Sequence, residues 1–105
     1  MIGKFIKICR ADDIDDGAFL PFTVDGHEII LARDGGQIYA TANTCSHDGS
    51  NLGSGRLADG QLVCPRHGAR FDIRTGQATR MPAIAGIETY DVIIENGDVY
   101  IALPE

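Results

Sequence analysis

The chain has 105 residues and a mass of 11.3 kDa, enough for one domain (1–105) and too little for a second. Hydrophobic residues make up 44% and charged residues 23%, as in a soluble globular protein, and no apolar run approaches the ~20 residues of a membrane-spanning helix. A net charge of −6 argues against nucleic acid or an anionic membrane as partner.

No stretch keeps a helical period, whereas turn signals recur every eight to twelve residues, so the expected fold class is all-β. Lys4–Cys9 alternates Ile6 and Ile8 against Lys7, as a first strand does, and lacks the apolar core of a signal peptide. A cytoplasmic protein is the expectation. Ala11–Gly17 is acidic and reads as a solvated loop, without the spacing of a calcium-binding loop. Phe19–Val24 and His27–Ala32 flank Asp25-Gly26, which suits a two-residue hairpin turn. Asp34-Gly35-Gly36 turns the chain into the strand Gln37–Ala42.

Next comes the stretch that carries chemistry. Cys45-x-His47 is followed, after 16 residues, by Cys64-x-x-His67. Two thiolates and two imidazoles suffice for a metal centre, and each short motif contributes one of each. A structural zinc ion takes such ligands in tetrahedral geometry. A [2Fe–2S] cluster can take two Cys and two His, and two equivalent loops can clamp a two-iron rhomb from either side. Between the pairs Gly49, Gly53, Gly55 and Gly60 are too frequent for a helix interior and let the main chain approach a cluster closely. Gln61–Val63 is a short strand into Cys64, Pro65 stiffens the second loop, and Gly68 permits a turn away from His67. Arg70–Ile73 returns as a strand that Thr75-Gly76 stops. Ile87–Glu95 and Asp98–Leu103, joined by Asn96-Gly97, form a closing hairpin.

The motif C-x-H-x16-C-P-x-H-G, continued by A-R-F-D-I-R-T-G, resembles the Rieske family, and within it the small ferredoxins that feed electrons to aromatic-ring-hydroxylating dioxygenases. The resemblance implies an antiparallel β-sandwich of stacked sheets with an inserted cluster-binding subdomain at about 43–83. It also implies one Rieske [2Fe–2S] cluster, with Cys45 and Cys64 on one iron and His47 and His67 on the other. Respiratory members carry an additional Cys in each loop, bridged as a disulfide; the neighbourhoods here have none, as expected of a reduced compartment. Cys9 is the one remaining cysteine and reads as a strand residue.

Histidine ligation raises the potential of such clusters from about −400 mV to about −150 mV and above. High-potential members add Ser and Tyr hydroxyls just after the second histidine. This chain has Ala69 and Phe71 there, which implies the low end of the range. The segment Gln77–Ala83, with Met81-Pro82, matches the Pro-containing loop that covers the cluster in the family.

Rieske oxygenases hold a second iron on two His and a carboxylate. Only His27 is left over, just after a turn where an exposed side chain is expected, so this chain cannot be the oxygenase. The resemblance implies a non-enzymatic role: a monomeric ferredoxin between a flavin-containing reductase and a terminal oxygenase. The alternatives are a Rieske-like small subunit of a nitrite-reductase-like enzyme and a zinc-stabilised interaction module. Between residues 50 and 80 five arginines (Arg56, Arg66, Arg70, Arg74, Arg80) face two acids, Asp59 and Asp72. They read either as solvated loop charge or as a help to docking, with Arg66 beside a candidate ligand as the first choice.

Overall fold

The computed structural model describes residues 4–46, 49–81 and 85–103. Among these residues eleven strands run β1 Phe5–Arg10, β2 Phe19–Val24, β3 His27–Asp34, β4 Gln37–Ala42, β5 Arg56–Ala58, β6 Gln61–Val63, β7 Arg70–Asp72, β8 Ala78–Arg80, β9 Thr89–Tyr90, β10 Val92–Glu95 and β11 Asp98–Ala102. They form three antiparallel sheets, ordered β1-β11-β10, β2-β3-β4-β9 and β5-β6-β7-β8. Among the described residues no helix is long and apolar enough to cross a membrane.

The middle sheet explains the layering. In β3 the run Ile29-Ile30-Leu31-Ala32 is fully buried. Successive strand side chains point to opposite faces, and these four divide accordingly. Ile29 and Leu31 join Ile38, Ala40, Val99 and Ile101 in one core, while Ile30 and Ala32 join Leu52, Leu62, Phe71, Ile73, Cys45 and Cys64 in another. The first sheet therefore covers one face of the middle sheet and the β5–β8 sheet the other. Burying each Ile or Leu contributes about 1.5–3 kcal/mol, which makes β3 the spine of both cores.

Four tight turns set the registers. Asp25-Gly26, Gly35-Gly36, Asp59-Gly60 and Asn96-Gly97 all have positive φ at both positions, the two-residue turn whose twist matches that of paired strands. The turn at Asp59-Gly60 joins β5 to β6. No strand is expected at 56–58 from the residues alone, because three positions offer too little alternation to register.

Besides β5, the structure departs from the sequence expectations at four places. The segment Gln77–Ala83 contains β8, paired with β7 through Arg70↔Arg80 and Phe71↔Ala78, rather than loop alone; its residues Pro82 and Ala83 lie outside the described residues. Ile87–Glu95 is not one strand. Thr89–Tyr90 pairs with β4, and Val92–Glu95 pairs with β11 in the first sheet, so the chain changes sheets at Asp91. The acidic loop is anchored rather than simply solvated. It begins with a 3-10 turn at Ala11–Asp13, buries Ile14, and receives the Arg33 guanidinium on the carbonyls of Ala11 and Ile14 at 3.0 and 3.1 Å. Asp16 Oδ1 accepts the Gly36 N–H at 3.0 Å. His27 is half-buried rather than exposed.

Cys9 sits on β1 beside a register shift, half-buried against the first core. Burial, and secondarily the Asp13 carboxylate, push its thiol above the ordinary value of 9.0. The neutral thiol is thus favoured in the folded chain, and only the thiolate is a good nucleophile. Iodoacetamide at pH 8 should therefore alkylate Cys9 several times more slowly in the folded protein than in urea, as read by peptide mass spectrometry. Equal rates would contradict this.

Candidate metal centre

Both cysteines of the two short motifs lie at the ends of elements that the cores hold in place. Cys45 follows β4, and Cys64 follows β6 directly. Each thiol is almost wholly buried, Cys45 at 1% and Cys64 at 2% exposure, in the same hydrophobic cluster. The three cysteines form no disulfide.

The two loops close in the same way. The Cys45 N–H donates to the Ser50 carbonyl at 2.8 Å, and the Gly49 N–H donates back to the Cys45 carbonyl at 2.9 Å. In the second loop the Cys64 N–H donates to the Ala69 carbonyl at 2.8 Å, and the Gly68 N–H to the Cys64 carbonyl at 3.1 Å. Gly49 and Gly68, each four residues past its cysteine, have φ of 75° and 74°. That left-handed conformation carries little penalty only in glycine. The spacing differs, with His47 two and His67 three residues past the cysteine, but the closing hydrogen bonds and the left-handed glycine are the same.

The structure places Cys64 at the bottom of its loop and His67 on the exposed side. His47 lies outside the described residues. The structure thus brings Cys45, Cys64 and their loops together, with one described imidazole facing outward. Two buried thiols and an exposed imidazole, on loops closed by the same pair of hydrogen bonds, fit the mixed Cys and His donor set that a two-iron cluster can take. Among the described residues there is no cluster of three or more His, Cys, Asp or Glu side chains that would hold a metal ion by themselves.

Residues that the sequence did not single out hold the first loop. Asn43, buried and polar, accepts the Gly53 N–H on its side-chain oxygen at 2.6 Å, and its carbonyl takes the Leu52 N–H at 3.0 Å. Asn51 caps the 3-10 turn Leu52–Ser54 through the same Gly53 N–H at 2.8 Å. The Ser46 hydroxyl donates to the Ala85 carbonyl, tying the loop to the segment before β9. Gly55 has no room for a side chain, since a Cβ would run into the Val63 carbonyl just before Cys64. An Asn close before a ligand loop is weak as a sequence signal, because Asn is common in any turn.

Behind the second loop the surroundings are apolar. Ala69 and Phe71 are fully buried within the cysteine-containing core, and neither has a side-chain donor.

Comparison with known proteins accords with this site. Residues 4–91 match the model of the Rieske [2Fe–2S] domain. The chain is 41% identical over 103 residues to the ferredoxin component of the naphthalene 1,2-dioxygenase system of Pseudomonas putida, covering 98% of this chain and 99% of that one. Among solved structures it is similar to the ferredoxin of carbazole 1,9a-dioxygenase from Nocardioides aromaticivorans IC177, with a TM-score of 0.92 and 32% identity over 97% of this chain and 100% of that chain. It is also similar to a chain in the complex of reduced oxygenase and oxidized ferredoxin in carbazole 1,9a-dioxygenase, with a TM-score of 0.89 and 31% identity over 93% and 92%.

Replacing Asn43 by Ala leaves the Gly53 N–H with one acceptor fewer and opens a buried polar gap. It should lower the unfolding free energy by about 1–3 kcal/mol, measured by urea denaturation, while Asn43→Asp, which keeps an acceptor, should lose less. Fold, loops and relatives agree: the chain belongs to the Rieske [2Fe–2S] domain family.

Proposed function

We propose that this protein is a one-electron carrier, a Rieske-type ferredoxin that takes an electron from a flavin-containing reductase and delivers it to a terminal ring-hydroxylating oxygenase. One observation carries the reading. Two buried thiols and an outward-facing His67 sit on loops of matching backbone geometry, in a chain whose relatives are named as ferredoxin components. In this reading Cys45, His47, Cys64 and His67 hold one [2Fe–2S] cluster per chain.

When bound, such a cluster accepts and releases a single electron. The chain's own residues do the rest. Apolar side chains surround Cys45 and Cys64 and leave each almost wholly buried. His67, exposed on the second loop, brings an edge of the site to the surface, where a docked protein can approach it. With no hydroxyl at Ala69 or Phe71 to stabilise added negative charge, the potential belongs at the low end of the Rieske range. The carrier has no substrate of its own, because His27 alone cannot supply the two imidazoles of an oxygenase iron. It acts as a monomer in the cytoplasm and docks transiently.

Iron and zinc analysis with EPR of the dithionite-reduced protein tests the reading. About two iron per chain and a rhombic signal are expected; a silent sample containing zinc would overturn it. Cys64→Ala should abolish both iron and signal. Arg66→Glu, an exposed change beside His67, should slow reduction of the oxygenase about tenfold with the cluster spectrum intact. Unchanged stopped-flow rates would remove Arg66 from the docking face.

A further inference from the structure

The five arginines between residues 50 and 80 separate once their neighbours are known. The Arg74 guanidinium lies 3.7 Å from the Asp34 carboxylate and 5.8 Å over the Tyr39 ring, so it belongs to the middle sheet. Arg66 stands on the second cysteine loop. The other three fall into one line. Arg56 pairs with Val63, Val63 with Arg70, and Arg70, across a register shift that leaves Thr79 as an extra residue in β8, with Arg80, so a row of Cα partners crosses all four strands of the β5–β8 sheet. The adjacent row, Leu57, Leu62, Phe71 and Ala78, faces the cysteine-containing core. Arg56, Val63 and Arg70 are therefore on the opposite face, and Arg80, exposed, is set against Arg70 by the register shift; the one apolar member, Val63, is buried yet belongs to neither core.

That face holds little to neutralise the row. Among the described residues Arg56, Arg70 and Arg80 form no ion pair, whereas Lys7 and Arg10 meet Asp98, and Arg33 meets two carbonyls. The one acid in these four strands is Asp72, two residues along from Arg70, and its carboxylate accepts the Arg74 backbone N–H. Arg70 and Arg80 stand directly opposite, a like-charge pairing that weakens a sheet. The Arg70 Nε is buried with no hydrogen-bond partner among the described residues, another cost to folding. A row kept for stability would carry neither cost.

The row also borders the candidate metal centre. Val63 precedes Cys64, and Arg70 follows Ala69, whose carbonyl receives the Cys64 N–H. A cleft of about 400 Å³ is lined by Gly55, Arg56, Val63, Cys64, Pro65 and Gly68. Positive charge and concavity thus meet beside a candidate ligand.

We propose that the Arg56–Arg70–Arg80 row is a docking surface for an acidic patch on the terminal oxygenase, which it holds against the second cysteine loop. The proposal rests on the carrier reading and adds the chemistry of the partner's surface. A chain of net charge −6 would be repelled by an acidic surface unless it met that surface with an uncompensated basic face.

The test compares wild type with Arg56→Gln/Arg70→Gln/Arg80→Gln and with Arg56→Gln/Arg80→Gln. The double variant changes two exposed positions only and serves if Arg70 proves necessary for folding. Stopped-flow reduction of the cognate oxygenase is followed against salt, with the cluster spectrum as the check on integrity. Binding to poly-L-glutamate at low ionic strength is measured in parallel by calorimetry. Expected are a roughly tenfold fall in second-order rate, a flattened salt dependence and loss of polyglutamate binding, all with an unchanged spectrum. Equal or faster transfer by the variants, or no polyglutamate binding by wild type, overturns the arginine row and leaves the carrier reading intact. A wild-type protein that binds polyglutamate through the row yet reduces no oxygenase overturns the carrier reading, and with it this partner.

Discussion

The structure depends on one backbone device used twice. A cysteine N–H reaches the carbonyl five residues on, and a left-handed glycine N–H returns to the cysteine carbonyl. Each loop thereby pairs the main-chain N–H and carbonyl of its cysteine at the point where a thiol is buried. Buried backbone groups otherwise need partners from secondary structure. Here the loop supplies them. The rest of the fold secures the two ends of these loops.

The layering follows from that need. A single sandwich core would leave the loops on a rim, held from one side. Because β3 is buried on both faces, the middle sheet supports two cores, and the second is built largely from the β5–β8 sheet together with Cys45 and Cys64. These two cysteines are thus core residues as much as candidate ligands. The tight contacts at Gly55, against the Val63 carbonyl, and at Gly76, against the Ile87 carbonyl, show how little slack the surrounding backbone has. Packing of this density resists the small displacements that would separate the two loops.

Much of this was legible in the residues. The strands Phe19–Val24, Gln37–Ala42 and Gln61–Val63 lie where alternation and turns put them, because tight two-residue turns leave little freedom of register. The paired Cys and His motifs stood out because few other roles require that spacing. What escaped was short or non-local. Strands β5 and β8 have three residues each, too few for a periodic signal. The change of sheet at Asp91 depends on which neighbour each half of the segment finds, and a local window cannot see that. The buried role of Asn43 arises from a partner ten residues away. The arginine row was invisible for a related reason. Arg56, Arg70 and Arg80 come into line only through the strand registers, and along the chain they look like scattered loop charge.

The pairing of β1 with β11 has a kinetic consequence. Phe5 meets Ala102 across nearly the whole chain, whereas β5 to β8 are joined by successive short connections. Closing a long loop costs more entropy than closing a short one, and folding slows as contacts become less local. The sheet bearing the second cysteine loop can therefore zip up from neighbouring residues early, while the first sheet waits for the last strand. During synthesis β1 has no strand partner until β11 has emerged.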